Sequence, residues 1–281
     1  MGHYFQGWYI KLQSESRTMA LIVACIRTGM EESVCLQVIT DDFTGSAEYG
    51  ISEYTKRKKG IDITLGANRF SEDGLHLDVH RPGLELSGDV SFGPWKAIGG
   101  DIMGPFRFVP FMQCRHEILS AYHDINGKLT LNGIRYDLNG ARGYIEGDRG
   151  YSFPSVYLWT QCLFDGGSLF LSVADIPFGL FHFTGLIGFV CLGGKEYRLA
   201  TYKGGKATDI KDGGCIIRQG DITFTVQLLH KNDHPLQVPM NGSMARTIRE
   251  SASCTARYSL TIHGETLLDL TTDKASFEFE F

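Results

Sequence analysis

The stretch LTLNGIRYDL, residues 129–138, decides the fold because a second stretch of the chain repeats its pattern. That second stretch is LTIHGETLLDL, residues 260–270, and its Gly264 stands 131 residues after Gly133 of the first. Both stretches place a turn with glycine between apolar residues, as two strands joined by a tight turn require. The same hairpin is therefore predicted twice in one chain.

A second pair of stretches supports an internal repeat. LSGDVSF at residues 86–92 resembles RQGDITF at residues 218–224, at an offset of 132 residues. Self-similarity at a nearly constant offset is typical of duplicated structural units. We therefore expect two related modules, residues 1–150 and residues 151–281, joined near Gly150.

The rest of the chain has the pattern of an all-β protein. Short apolar or alternating runs recur about every 10 to 15 residues, separated by glycine, asparagine and aspartate. They predict strands at residues 7–12, 19–26, 34–39, 60–65, 75–79, 84–92, 128–131, 134–138, 156–164, 168–173, 186–191, 197–202, 222–229, 255–262 and 276–281. Asn126-Gly127 and Asn132-Gly133 predict hairpin turns, and no long run has a helical period. Because antiparallel modules dispose of their edges by closing, we expect two tandem β-barrel or sandwich modules.

Composition and charge exclude several classes of function. The 281 residues carry a formal net charge of −5 and a sequence pI of 6.0, so nothing general draws the chain to nucleic acid or to an anionic membrane. The 7 cysteines include no CxxC pair and stand mostly among apolar neighbours, as reduced thiols of the cytoplasm do. The sequence shows no signal peptide and no apolar window of membrane-spanning length. We expect a soluble, cytoplasmic protein.

Two carboxylates, Glu146 and Asp148, are the first candidates for chemistry. Strand alternation places them and Tyr144 on one face, with Cα atoms of the two acids roughly 6 to 7 Å apart. On a desolvated face one acid would keep its proton near neutral pH and could act as a proton donor. Arg149 adjoins them, although a flat strand points it the other way. A salt-bridged strand end is the alternative.

The next strand carries Tyr157, Trp159 and Gln161 on one face. Tyrosine and tryptophan combine a large apolar area with a polar group, which suits the wall of a ligand cavity or a domain interface. Aromatic core packing is an equal alternative for these residues.

Histidines give two further hypotheses. His116, beside Glu117 and ahead of His123, is a candidate acid or base, since imidazole titrates near neutral pH. A structural histidine is the alternative at this position. No GxSxG, Walker or Rossmann motif occurs, so nucleotide chemistry is not expected.

A metal site is the second histidine hypothesis. His76, Asp78 and His80 share one strand face at a spacing that can bind a metal ion. The opposite face, with Leu77 and Val79, already supplies the core side. We therefore expect the polar trio to face solvent and predict no metal site.

Four segments, in order along the chain, resemble the tocopherol cyclase family. They are YFQGWYIKL (4–12), GDIMGPFRFVPFMQCRHEILS (100–120), LNGARGYIEGDRGYSFPSVYLWTQ (138–161) and YRLATYKGGK (197–206). The resemblance implies lipocalin-like barrels, distantly similar to carotenoid hydratase and Diels–Alderase proteins built from two such modules. It also implies a reaction without cofactor, in which a prenylated hydroquinone closes into a chromanol ring. Such chemistry needs an acid for the alkene, a dry aromatic cavity for the cation and a phenolic oxygen held within reach.

The matching positions give the site residues that the resemblance implies. The catalytic candidates are Asp148, Glu146, His116 and Glu117, and the substrate-binding candidates are Trp159, Tyr157, Gln161, Tyr144, Arg149 and Trp8. One departure is Arg149, where the family usually has the tryptophan of Glu-x-Asp-Trp-Gly. This exchange removes an aromatic ring and adds a charge.

The favoured hypothesis is therefore a cyclase-like enzyme acting on a prenylated quinol or a related apolar molecule. Its expected partner is a small prenyl-like ligand, and the sequence leaves open whether the protein contacts a membrane transiently to collect it. A non-catalytic lipocalin-like carrier is the alternative from another class, and a hydratase or pericyclase of the same fold is the third. The sequence leaves the oligomeric state open.

Overall fold

The computed structural model describes residues 4–57, 60–110, 112–178, 181–232, 234–240 and 243–281. These residues form 22 β-strands and three short 3₁₀ helices, Ile51–Glu53, Gly104–Phe108 and Thr201–Lys203. No helix in the described parts of the chain has the length and apolarity to cross a membrane. The all-β prediction is confirmed.

Twelve strands build a first antiparallel sheet. They are β1 (Tyr4–Gln13), β2 (Thr18–Thr28), β3 (Glu31–Thr40), β4 (Thr44–Tyr49), β5 (Tyr54–Lys56), β6 (Ile63–Leu65), β7 (Asn68–Ser71), β8 (Gly74–Arg81), β9 (Leu84–Phe92), β10 (Cys114–Leu131), β11 (Ile134–Asp137) and β12 (Ala141–Gly150). Their order is β4-β3-β2-β1-β12-β10-β9-β8-β7-β6-β5, with β11 paired to β10.

Ten strands build a second antiparallel sheet. They are β13 (Tyr157–Phe164), β14 (Gly167–Phe178), β15 (Phe181–Leu192), β16 (Lys195–Ala200), β17 (Lys206–Lys211), β18 (Gly214–Gln219), β19 (Ile222–His230), β20 (His234–Met240), β21 (Ser243–Ile262) and β22 (Glu265–Phe279). Their order is β16-β15-β14-β13-β22-β21-β19-β18-β17, with β20 paired to β21.

The two sheets have the same connectivity. In each, the first strand of the sheet pairs on one side with the strand that follows it and on the other with the last strand. In the second sheet β21 pairs with the single long strand β22. In the first sheet the equivalent long strand β10 pairs with two shorter strands, β11 near the turn and β12 beyond it. Two tandem β-modules, as predicted, account for this repeated order.

The hairpin repeat that suggested the duplication has a common backbone geometry. Asn132 and Gly133 have φ angles of 48° and 80°, and His263 and Gly264 have 52° and 83°. Two consecutive positive φ angles define the type I′ turn, whose twist matches that of the flanking strands. The turn predicted at Asn132-Gly133 is therefore confirmed, and its counterpart recurs at the equivalent place.

The second sequence match does not join equivalent positions. Gly88 lies inside β9, whereas Gly220 lies in the turn that precedes β19. The similar residues around the two glycines therefore lie in two different local structures. Only the hairpin pair is equivalent in the fold.

The hairpin predicted at Asn126-Gly127 is wrong. Strand β10 continues through both residues and pairs with β9 there. Gly127 has a φ of 144°, and a side chain on it would place Cβ 2.2 Å from the carbonyl oxygen of Asp89. The glycine thus serves a close approach of two backbones rather than a turn.

The structure divides into two compact units, each with its own apolar core. The first contains Met1–Ile98, Cys114–Ser152 and Gln237–Arg246, and the second contains Gly99–Gln113, Phe153–Leu236 and Thr247–Phe281. The division of the chain at residues 150 and 151 stays a prediction.

A histidine lies inside the core of the first unit. His123 is 1% exposed, and its ring centroid lies 4.5 Å from that of Phe92 and 6.0 Å from that of Trp95. The hydroxyl of Ser120 donates to the Tyr122 carbonyl, so it accepts a hydrogen bond from Nδ1 of His123 at 2.9 Å. Burial lowers the pKa of His123 from 6.5 to about 4. His123 is therefore a neutral core residue.

We expect this histidine to weaken the fold in acid. The unfolded state takes up a proton near pH 6.5 and the folded state only near pH 4, so stability falls as pH drops between these values, by about 3 kcal/mol. His123→Asn keeps a donor for Ser120 but cannot titrate, and it should flatten the loss in urea unfolding measured from pH 7 to pH 4. His80→Asn is the control, because a hydrogen bond that it donates to the Glu85 carboxylate raises the pKa of this exposed histidine. An unchanged pH slope in His123→Asn would contradict the prediction.

We expect Gly127→Ala to cost about 3 kcal/mol or more of unfolding free energy, since a backbone carbonyl blocks the new methyl group. Gly140→Ala is the matched control. Gly140 also has a positive φ, 72°, but no atom lies within 4 Å of its added Cβ, so only the backbone cost of about 1–2 kcal/mol applies. Equal losses by chemical denaturation would show that the close approach at Gly127 is not the constraint.

Candidate functional site

The carboxylates of β12 lie on the face that turns away from the core of their own unit. Ile145 belongs to that core, so strand alternation sends Tyr144, Glu146 and Asp148 to the opposite face. Tyr144 is 0% exposed and Glu146 is 2% exposed. The predicted shared face therefore exists, and it is desolvated at Tyr144 and Glu146.

Glu146 is held by a neighbouring phenol. The hydroxyl of Tyr144 donates to Oε2 of Glu146 at 2.6 Å. Burial and the negative charges of Glu146 and Asp148 raise the pKa of Tyr144 well above its ordinary value. Tyr144 is therefore a permanent hydrogen-bond donor, and it favours the ionised form of Glu146.

Asp148 is held by a histidine and a thiol of β10. His116 stands directly opposite Asp148 in the strand register, and its Nδ1 lies 2.6 Å from Oδ1. The thiol of Cys114 donates to the same Oδ1, with Sγ 3.6 Å away. Burial and the charge of Asp148 raise the pKa of Cys114 well above its ordinary value, so the thiol keeps its proton.

Three members of this face were not predicted from the sequence: Lys11, Tyr9 and Cys114. Lys11 of β1 is 0% exposed and stands opposite Tyr144 in the register, while Tyr9 stands opposite Glu146. Both side chains therefore lie on the face of Glu146. The pattern GWYIKL could have predicted Lys11, because alternation places it on the opposite face from the core residues of β1. Cys114 was not predicted because its neighbours in the sequence are mostly apolar.

Glu117 and Arg149 do not join the carboxylate face. Glu117 is opposite Gly147 in the register, so it points to the other side of the sheet. There its carboxylate lies 3.8 Å from the guanidinium of Arg149, and both side chains are largely exposed. The charge of Arg149 is thus directed away from Glu146 and Asp148, as the alternation predicts.

Trp8 lies with the core of the first unit, on the opposite side of the sheet from Glu146. The ammonium of Lys56 lies 5.0 Å from its ring centroid, a cation–π contact. Gly147 packs beside the indole. A Cβ atom added to Gly147 would lie 3.4 Å from Cδ1 of Trp8. The structure therefore places Trp8 apart from the carboxylates.

The predicted aromatic face of β13 lies in the second unit. Leu158 and Cys162 belong to that unit's core, so Tyr157, Trp159 and Gln161 occupy the opposite face. All three are buried. The hydroxyl of Tyr157 donates to the carboxylate of Glu278.

Gln161 is a buried amide with unused hydrogen-bonding capacity. It is 0% exposed, and within the described parts of the chain neither Oε1 nor Nε2 has a hydrogen-bond partner. In the register it stands opposite Phe170, whose ring stacks on Phe189 at a centroid distance of 6.1 Å. Burying an unpaired amide is costly. An aromatic wall with one free amide is suited to an apolar ligand that carries one polar group.

The polar trio of β8 faces solvent, as predicted. His76 lies 2.8 Å from Asp89, and His80 lies 3.0 Å from Asp78 and also contacts Glu85. These contacts are exposed, and each member of the trio takes part in at least one of them. Among the described residues, the group of side chains close enough to share a metal ion is instead Cys114, His116 and Asp148.

Comparison with known proteins identifies the fold. No protein-family model matches the chain, and no curated protein sequence matches it. The chain is similar to the crystal structure of kievitone hydratase from Nectria haematococca, with a TM-score of 0.53 and 12% identity over 99% of this chain and 89% of that one. It is also similar to CghA in complex with Sch210972, with a TM-score of 0.62 and 10% identity over 100% and 89%.

A second structure of CghA gives a TM-score of 0.60 at 9% identity, over 100% of this chain and 88% of that chain. At these identities the likeness shows the lipocalin-like β-barrel fold and no more. The resemblance to the tocopherol cyclase family stays a prediction.

We expect Tyr144 and Glu146 to be energetically coupled. In a double-mutant cycle, Tyr144→Phe and Glu146→Gln should show a coupling energy above about 1 kcal/mol in urea unfolding, because each change leaves a buried partner without its hydrogen bond. Tyr144→Phe combined with Glu117→Gln is the control pair. Glu117 lies on the other face, so its effect should add to that of Tyr144→Phe within about 0.5 kcal/mol. Additivity in both cycles would contradict the buried hydrogen bond.

Proposed function

We propose that this chain is a cofactor-independent enzyme that protonates a carbon–carbon double bond of a prenylated quinol and closes a chromanol ring. The observation that carries the proposal is the buried face of β12. It holds two carboxylates two residues apart, each with a different partner. Pairs of titratable groups in unlike environments are the usual basis of acid and base roles.

The two carboxylates suit complementary steps. In the proposed first step Asp148, whose Oδ1 lies 2.6 Å from Nδ1 of His116, gives a proton to the alkene carbon, which leaves a tertiary cation. The phenolic oxygen of the substrate then bonds to the cation and loses its own proton. Glu146 accepts that proton, since Tyr144 favours its ionised form. One proton enters and one leaves, so the product is an isomer of the substrate.

Burial supports this chemistry in a second way. Water would capture the cation before ring closure, so the site must keep water away. Tyr144, Glu146 and Lys11 are each no more than 2% exposed.

The position of Arg149 is compatible with an enzyme. A cation at this position, in place of a tryptophan, would favour a non-catalytic carrier if it lay among the carboxylates. Its guanidinium instead pairs with Glu117 on the other face. The positive charge therefore leaves the proposed acid and base undisturbed.

Addition of water is the second candidate function. It begins with the same alkene protonation and differs in the nucleophile that captures the cation. The name of one similar structure, kievitone hydratase, favours it. Product mass separates the two, because ring closure leaves the mass unchanged and hydration adds one water.

We expect Asp148→Asn and Glu146→Gln each to lower the rate of ring closure by about 10²-fold or more, the usual loss for a general acid or base. The assay is conversion of a prenylated quinol followed by liquid chromatography and mass spectrometry. Glu117→Gln is the matched control and should keep the wild-type rate. Undiminished turnover in both site variants would overturn the proposal. Retention of the quinol in native mass spectrometry without any product would support the carrier instead.

A further inference from the structure

We propose that Cys114, His116 and Asp148 form a binding site for one soft divalent metal ion, of which zinc is the physiological example. The proposal goes beyond the proposed function, and it rests on that function only for the effect of the metal on turnover. The ligand atoms would be Sγ, Nδ1 and a carboxylate oxygen, a donor set that suits zinc. The Cys114 thiol, protonated without metal, would lose its proton to solvent as the metal–sulfur bond forms.

The strand register explains why these three side chains converge. Cys114 and His116 stand two residues apart on β10, so they share a face. Asp148 of β12 stands directly opposite His116. The three ligand atoms all lie within 4.8 Å of one another. Two paired strands therefore hold the ligands on a rigid part of the sheet.

The distances fit a tetrahedral ion with a small adjustment. With zinc–ligand bonds of about 2.0 Å to oxygen and 2.3 Å to sulfur, Sγ and Oδ1 would be about 3.5 Å apart, close to the 3.6 Å between these atoms of Cys114 and Asp148. Nδ1 of His116 and Oδ1 would be about 3.3 Å apart, against the 2.6 Å between them in this structure. A metal ion must therefore spread the two atoms by less than about 1 Å.

The neighbouring strands leave room for a fourth ligand. Cys114 stands opposite Gly150, and Asp148 stands opposite Gly7 on β1, so the residues directly paired with these two ligands carry no side chain. The side chains of His116 and Asp148 are each 13% exposed. Water or a small anion can reach the fourth position, as in open zinc sites.

Metal binding would switch the proposed enzyme off. The ion would occupy the lone pairs of His116 Nδ1 and of the Asp148 carboxylate, so Asp148 could no longer deliver a proton to an alkene. Glu146 keeps its hydrogen bond from Tyr144 and lies outside the ligand set. The result is an enzyme inhibited by a metal ion rather than activated by one.

Titration of the reduced, full-length chain with Co²⁺ tests the site, because a cobalt–thiolate bond gives a charge-transfer absorption that other ligands do not. We expect one Co²⁺ per chain, displaced by Zn²⁺, and an affinity at least 100-fold lower in Cys114→Ser and in Asp148→Asn. Cys25→Ser and His80→Asn are the control variants, and both should bind like the wild type. Circular dichroism of each variant checks that it is folded.

Three outcomes would overturn the site: no charge-transfer band at millimolar Co²⁺, binding unchanged in Cys114→Ser, or loss of the band in Cys25→Ser. Turnover is read separately. If Co²⁺ binds as expected but neither the wild type nor any variant converts a quinol, the proposed function is wrong and the metal site is retained. If quinol is converted and Zn²⁺ neither binds nor inhibits, the metal site fails and the proposed function stands.

Discussion

The two-residue period of the extended strand is the constraint on which the rest of this structure depends. Neighbouring side chains of a strand point to opposite faces. Because Ile145 of β12 belongs to the core, Tyr144 and Glu146 must lie on the opposite face. The same rule sends His116 to the face of Asp148 and Glu117 to the opposite face. The chemistry and the packing of the first unit are therefore two sides of one set of strands.

Burial of that second face then dictates the local partners. An ionised carboxylate without water is very costly unless it is hydrogen-bonded or paired. The phenol of Tyr144 meets this requirement for Glu146, and the imidazole of His116 and the thiol of Cys114 contact Asp148. Each carboxylate therefore has different neighbours, as separate acid and base roles would require. A polar face of this kind is expensive to maintain for stability alone.

Strand alternation and turn chemistry act locally, so their consequences could be predicted from the sequence. These are the common face of Tyr144, Glu146 and Asp148, the opposite direction of Arg149 and the turn at Asn132-Gly133. Features that depend on a distant strand could not be predicted. Gly127 reads as a turn until β9 approaches it, and Cys114 becomes a neighbour of Asp148 only through the register of β10 on β12.

The pairing of β1 with β12 has a consequence for how the protein folds. Phe5 pairs with Gly150, and Tyr9 with Glu146, so the sheet that carries the carboxylates joins the beginning of the first module to its end. Contacts of such high sequence separation are slow to form because loop closure precedes their stabilisation. A ribosome must release β12 before Tyr9 and Lys11 can meet Tyr144 and Glu146. Until then the edge of β1 is open to other strands, and chaperone capture of the nascent chain should be greatest in that interval.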